Sequence, residues 1–86
     1  MIRRNAFYIM RDVVAECTHA PCVKTRIMYR VNLSHNQVEA YLQHCIKVGL
    51  LKNQIKGSRV VYVTTKKGVK FLEAMNNLTT LIESEK

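Results

Sequence analysis

Residues 31–49, VNLSHNQVEAYLQHCIKVG, decide how the rest of the chain is read. Ser34 is placed to cap a helix whose apolar residues fall at Val38, Leu42, Cys45 and Ile46, a spacing that gathers them on one face. Gly49 ends that helix, because glycine enters the left-handed C-cap conformation without strain. At about 100° per residue, the opposite face holds Asn36, Gln37, Ala40, Gln43, His44 and Lys47. It offers amide and imidazole groups that hydrogen-bond base edges, one small residue that permits close approach, and a single formal charge. This is the pattern of a helix that reads the major groove of DNA. An ordinary solvated helix face carries the same residue types, so the neighbouring segments must separate the two readings.

Upstream, residues 3–17 have helical spacing, with Ala6, Met10, Val13 and Cys17 repeating at four, three and four and Ile9 and Val14 widening the stripe. Thr18, His19 and Ala20 break the pattern. Pro21 fits the first turn of a second helix over residues 21–30, which buries Val23 and Ile27 and shows Lys24 and Thr25 near its start. A helix N-terminus with a lysine beside it favours phosphate. Downstream the period turns toward two. Residues 50–56 and 59–64 read as strands joined by Gly57-Ser58, which pairs Lys56 with Arg59, Ile55 with Val60 and Asn53 with Tyr62. Two cations facing each other at the tip disfavour the hairpin unless a phosphate lies between them. Thr65 is placed to cap a last helix, residues 66–83, with Phe71, Met75, Leu78 and Ile82 on one stripe. Beyond Met75 this helix is expected to outrun the domain, leaving Leu78, Leu81 and Ile82 as a seam for a second copy in a short antiparallel coiled coil. Folding back over its own core is the alternative.

The chain has 86 residues and a net charge of +8, which suits one globular domain facing a polyanion. The charge is concentrated. Residues 24–70 hold ten Lys and Arg against Glu39 alone, whereas residues 71–86 hold Lys86 against Glu73, Glu83 and Glu85. Three cysteines make no disulfide framework, although a Cys17–Cys22 or intersubunit bridge stays open. No apolar run approaches the roughly 20 residues that span a bilayer. A cytoplasmic protein with no membrane contact is therefore expected.

Helix, helix, turn, helix, hairpin, helix is the order of a winged helix-turn-helix: an α+β fold, mostly helical, with three helices, a β-hairpin wing and a C-terminal helix. The run Lys24-Thr25-Arg26-Ile27-Met28-Tyr29, then Asn32-Leu33-Ser34, Tyr41-Leu42 and Gly49-Leu50-Leu51, continues to Tyr62, Thr65, Lys67-Gly68 and Phe71-Leu72. Together these resemble the archaeal winged-helix regulators, a family that includes a small basic Sulfolobus DNA-binding protein. Viral members look alike at this level. The resemblance implies DNA binding as a homodimer through the C-terminal helix, with the central helix in the major groove and the hairpin as a wing. Thr64 departs from the pattern, which usually has an aliphatic residue there. Val61 and Val63 are expected to point outward if Tyr62 points in.

These readings assign residues 1–70 to DNA binding and residues 71–86 to dimerisation through Met75, Leu78, Leu81 and Ile82. Asn36, Gln37, Gln43 and His44 are the base-reading candidates, with residues 34–48 as the recognition helix. Lys24, Thr25, Ser34, Lys47, Lys56, Ser58 and Arg59 are the backbone candidates, joined by Arg3, Arg4, Lys66, Lys67 and Lys70 if the termini lie suitably. Tyr29 and Tyr41 read as partly buried supports. No metal site is expected, because Cys17, His19, Cys22, His44 and Cys45 lack the paired spacing of a zinc site. No cofactor or catalysis is expected either, since the six carboxylates are scattered and no nucleophile has a base beside it. A sequence-specific regulator, an architectural DNA-coating protein and a winged helix used for protein contacts remain as alternatives.

Overall fold

The computed structural model describes residues 5–83. They form α1 (Ala6–Glu16), α2 (Lys24–Val31), α3 (His35–Lys47), β1 (Leu51–Lys56), β2 (Arg59–Thr64) and α4 (Lys66–Glu83). Asn5 starts α1, its side-chain oxygen accepting the Tyr8 N–H at 3.1 Å. Met10, Val13 and Val14 are its buried residues. Ala6, expected on the same stripe, is exposed, since this first turn lies at the edge of the core.

Residues 21–23 are extended and not helical, which corrects the reading of Pro21 as a helix start. Cys22 exchanges both backbone hydrogen bonds with Tyr62, at 3.0 and 2.8 Å, so this segment pairs with β2 on the side away from β1. Helix α2 begins only at Lys24. It ends at Asn32, which takes the left-handed conformation (φ 62°) that asparagine tolerates better than most residues. The Leu33 N–H then reaches back to the Met28 carbonyl at 2.9 Å while its side chain enters the core.

Helix α3 opens with a reciprocal cap. The Gln37 N–H donates to Ser34 Oγ at 3.2 Å, and the Ser34 N–H donates to Gln37 Oε1 at 2.9 Å. At its far end Gly49 has φ 87° and donates to the Ile46 carbonyl, while Leu50 donates to the Cys45 carbonyl at 2.8 Å. These two bonds make a Schellman ending, completed by the buried Leu50 side chain. Between the two ends, Val38, Leu42 and Cys45 are fully buried with Val13, Val14, Ile27 and Leu51.

The hairpin has the register read from the sequence, from Lys56 opposite Arg59 to Leu51 opposite Thr64. Val61 is buried, against the expectation that it points out to solvent, and Val63 is half-buried. The polar residue at 64 has a structural reason. Thr64 Oγ1 donates to the Val14 carbonyl at 2.6 Å, and the Thr64 N–H reaches the Cys17 carbonyl, tying β2 to the end of α1.

Helix α4 begins against the exit of α3. Thr65 Oγ1 accepts the Gly68 N–H at 3.0 Å and donates to the Gly49 carbonyl at 2.6 Å. Lys67 Nζ donates to the Val48 carbonyl at 2.6 Å, so this lysine helps to cap α3 with one of its three N–H groups. Phe71 and Leu72 are half-buried, and Met75 is only 7% exposed. The helix is therefore continuous through residues 70 and 71. Met75 packs mainly within its own domain and borders, with Leu78, the cleft at the edge of α4. Leu78, Leu81 and Ile82 are exposed as expected. Among the described residues no helix is long and apolar enough to cross a membrane.

Gly68 marks the tightest approach. A Cβ at this position would lie 2.3 Å from the Leu50 carbonyl oxygen and 2.7 Å from Thr64 Cγ2. Backbone is the obstacle, so the clash cannot be relieved by a rotamer change. Gly68→Ala is expected to lower stability by about 2 kcal/mol despite alanine's better helix propensity. Urea unfolding checks this, and an unchanged midpoint would mean that α4 and the Leu50 turn separate easily.

Candidate nucleic-acid interface

Burial of Val38, Leu42 and Cys45 turns the opposite side of α3 outward, and Asn36, Ala40, Gln43 and Lys47 lie along its most exposed line. Asn36 and His44 make no side-chain hydrogen bond among the described residues. Gln37 is also exposed, but its side-chain oxygen is committed to the Ser34 backbone. That bond holds the amide in the capping position and leaves its NH2 group and one lone pair of its oxygen to meet a base, which narrows the part Gln37 can play as a base-reading candidate. His44 lies off the central line. It faces α1 across an apolar cleft of about 360 Å³ shared with Ala6, Phe7, Met10, Ala40 and Tyr41.

The other flank of α3 meets α2. Lys24 pairs with Glu39. The hydrogen bond from Lys24 holds the Glu39 carboxyl below its ordinary range and raises the lysine above its own, with Gln43 adding a smaller effect on Glu39. Lys24 is thus matched to the only carboxylate in residues 24–70, and its charge is offset where the sequence reading left it free for phosphate. Thr25 is exposed one residue later. Tyr29, expected to be partly buried, is 85% exposed on the same outer face of α2 as Thr25. Helical spacing accounts for this: at about 100° per residue, residue 29 lies opposite the stripe formed by Ile27 and Val31, so the local pattern already placed it outward. Tyr41 is half-buried, as expected.

Lys47 is exposed at the end of α3, and Ser34 is exposed at its start with its oxygen engaged by the Gln37 N–H. Lys56, Ser58 and Arg59 are exposed at the hairpin tip, where Gly57 (φ 65°) makes the turn. The two cations sit opposite each other with no described acidic partner. Lys66 and Lys70 are exposed on α4. Arg3 and Arg4 lie outside the described residues. The acidic residues of α1 are turned elsewhere: Arg11 pairs with Asp12 at 3.2 Å and Arg30 with Glu16 at 3.6 Å.

The cysteines are packing groups. Burial, with the Cys22 sulfur close by, pushes the Cys17 thiol up to about 12, and burial pushes Cys45 to about 11. Cys22 donates to the Glu16 carbonyl at 3.1 Å. Thiols with such raised pKa values supply little thiolate for chemistry at neutral pH. Among the described residues no three His, Cys, Asp or Glu side chains are grouped to hold a metal ion.

Comparison with known proteins follows this geometry. A family model described as winged helix-turn-helix matches residues 3–83. No curated protein matches the sequence. Among solved structures, Sso10a-2, a DNA-binding protein from Sulfolobus solfataricus, superimposes with a TM-score of 0.84 at 26% identity, covering 94% of this chain and 84% of that one. MepR, a transcription regulator of the Staphylococcus aureus multidrug efflux pump MepA, superimposes at 0.78 with 15% identity, covering 91% of this chain and 58% of that one. Human N-acetylserotonin methyltransferase matches at 0.51 with 22% identity, over 72% of this chain and 21% of that one. The last two show a shared fold alone, and a fold does not carry a function by itself. The resemblance to archaeal winged-helix regulators is met by the Sulfolobus structure. With the element order, the hairpin register and a family match over nearly the whole length in agreement, the chain belongs to the winged helix-turn-helix family.

Proposed function

We propose that the protein binds double-stranded DNA as a homodimer and acts as a sequence-specific transcription regulator, with α3 in the major groove and the wing tip on the backbone. One observation carries this reading: the outer line of α3 is polar, nearly uncharged and exposed, while cations stand at its end and on the hairpin beyond it. Phosphate contacts position a protein on the duplex, and base contacts specify the sequence. Here Lys47, Lys56, Ser58, Arg59 and Thr25 fit the first task. Asn36 and Gln43 fit the second, with Gln37 and His44 at the side. Similarity to a Sulfolobus protein described as DNA-binding supports the assignment.

Dimerisation rests on the end of α4. Leu78 and Ile82 are exposed one turn apart, with Leu81 beside them. Leu78 also borders an apolar cleft of about 360 Å³ lined by Phe7, Tyr8, Phe71, Ala74 and Met75. The α4 helix of a second copy would cover both. The α4 residues 71–83 thus serve two ends, the first turns packed on their own domain and the last turns on the partner. Leu78→Glu combined with Ile82→Glu is expected to give a folded monomer in sedimentation equilibrium, where the parent protein has twice the 10.0 kDa chain mass. A parent chain that sediments as a monomer would remove the dimer.

A second reading, an architectural protein with little sequence preference, is favoured by the ten cations against one carboxylate in residues 24–70. Selection of bound fragments from random duplex separates the two. A regulator yields a two-fold symmetric motif preferred by about a thousandfold or more, whereas a coating protein yields none and a steep salt dependence. No retention of duplex at low salt leaves the protein-contact use of the fold.

Two substitutions probe the division of labour. Arg59→Ala is expected to weaken binding to all sequences and reduce the salt slope by about one, while Asn36→Ala changes relative affinities among sites more than the overall affinity. Glu39→Gln releases Lys24, and the logarithm of affinity is expected to fall more steeply with salt, by about one further unit of slope. An unchanged slope in a salt titration would show that Lys24 does not reach a phosphate.

A further inference from the structure

Ile55 and Val60 face each other across the hairpin, one pair back from the tip, and are 80% and 47% exposed. Alternation along the strands places them on the same side as Leu51 and Tyr62. Nearer the body that side packs into the core, since Leu51 and Tyr62 are both buried there. At Ile55 and Val60 the ribbon has run past the core, and its apolar side continues into solvent. Strand propensity does not require this, because threonine serves as well on an exposed strand. Protein edges are normally kept polar or charged so that they do not pair with other chains, and an exposed branched apolar pair is the reverse.

The surroundings indicate what covers it. Residues 47–70 contain Lys47, Lys52, Lys56, Arg59, Lys66, Lys67 and Lys70 and no aspartate or glutamate. Lys56 and Arg59 are the next pair toward the tip and point to the opposite side of the ribbon. An occupant must therefore be strongly anionic and must offer apolar surface between its charges. Stacked base pairs between two phosphate backbones meet that description, and apolar side chains that enter the minor groove do so between base steps.

We propose that Ile55 and Val60 form an apolar wedge that enters the minor groove next to the site of α3 and opens it, while Lys56 and Arg59 hold the flanking phosphates. The proposal rests on the DNA-binding reading above. Geometry makes opening necessary. The minor groove is about 6 Å wide, and two strands are already about 4.8 Å apart before their side chains are added. A ribbon carrying two branched side chains does not fit an undeformed groove. Its entry unstacks a base step and bends the duplex toward the major groove. Pyrimidine–purine steps such as TA and CA unstack most easily, so they are expected beneath the wing as a preference without any hydrogen bond to a base.

The test uses the full chain and a duplex of about 30 base pairs that it retains, with donor and acceptor dyes at the two ends to read bending. The double variant Ile55→Thr with Val60→Thr keeps strand propensity, and its thermal melt is compared with the parent to confirm folding. The parent is expected to shorten the end-to-end distance on binding. The variant should bind about tenfold more weakly, leave the duplex straight and keep the parent's salt slope, because every cation remains. If the parent binds and the variant bends the duplex equally, the wedge is refuted and the DNA-binding reading stands. If the variant alters the oligomeric state in sedimentation and not the bend, the pair is a protein contact and the wedge is refuted. If the parent does not retain duplex at low salt, the DNA-binding reading fails and the wedge fails with it.

Discussion

Thr65, Lys67 and Gly68 meet the carbonyl groups of Val48, Gly49 and Leu50, where α3 gives way to the first strand of the wing. A helix C-terminus leaves carbonyls without partners and carries partial negative charge, which a hydroxyl donor and an ammonium group both answer. The glycine then lets α4 lie against the Leu50 carbonyl at a distance no other residue permits. Through these contacts, the helix that faces outward, the hairpin beside it and the long last helix are joined at one point. The angle between α3 and the wing, on which any joint grip of a duplex depends, is set there. A second tie, from Thr64 to the Val14 carbonyl, fixes this same end of β2 to α1.

The distribution of charge follows from the same framework. Glu39 is the one carboxylate that α3 itself carries, and it is turned toward Lys24 of α2. What remains on the outermost line of α3 is neutral except for Lys47, while the hairpin carries cations on one side and an apolar pair on the other. A surface that only attracted a polyanion would not need this separation. Neutral amides beside Lys47 and the cationic hairpin allow hydrogen bonds to decide among sequences after charge has brought the partners together.

Much of this was legible in the sequence because it depends on local chemistry. Ser34, Gly49, Gly57 and Thr65 mark caps and turns through interactions within a few residues, and the bounds of α3, the hairpin register and the start of α4 follow from them. What the sequence did not reveal depends on distant partners. Pro21 suits a helix start and an extended segment equally, and the choice is made by the backbone pairing of Cys22 with Tyr62, some forty residues away. Met75 continues the apolar stripe of α4, but whether it packs inward depends on how far α1 reaches along that helix. The site shows the same division. The exposed face of α3 was readable from periodicity, and so was the exposure of Tyr29, which lies opposite Ile27 and Val31 on α2; the pairing of Lys24 with Glu39 is a tertiary fact. Gln37 is the exception. The Ser-x-x-Gln spacing of a capping box was present in the sequence, and that spacing assigns its side chain to the backbone.

The central claim is that the outer line of α3 is exposed in the protein alone and enters a DNA groove. Titration of the isotopically labelled full chain with duplex, followed by NMR, addresses it most directly. The account predicts that the side-chain amide signals of Asn36 and Gln43 and the backbone signals of Ala40 and Lys47 shift strongly and together, with those of the hairpin tip. Shifts confined to the hairpin and α4, with the α3 signals unmoved at saturation, would contradict it.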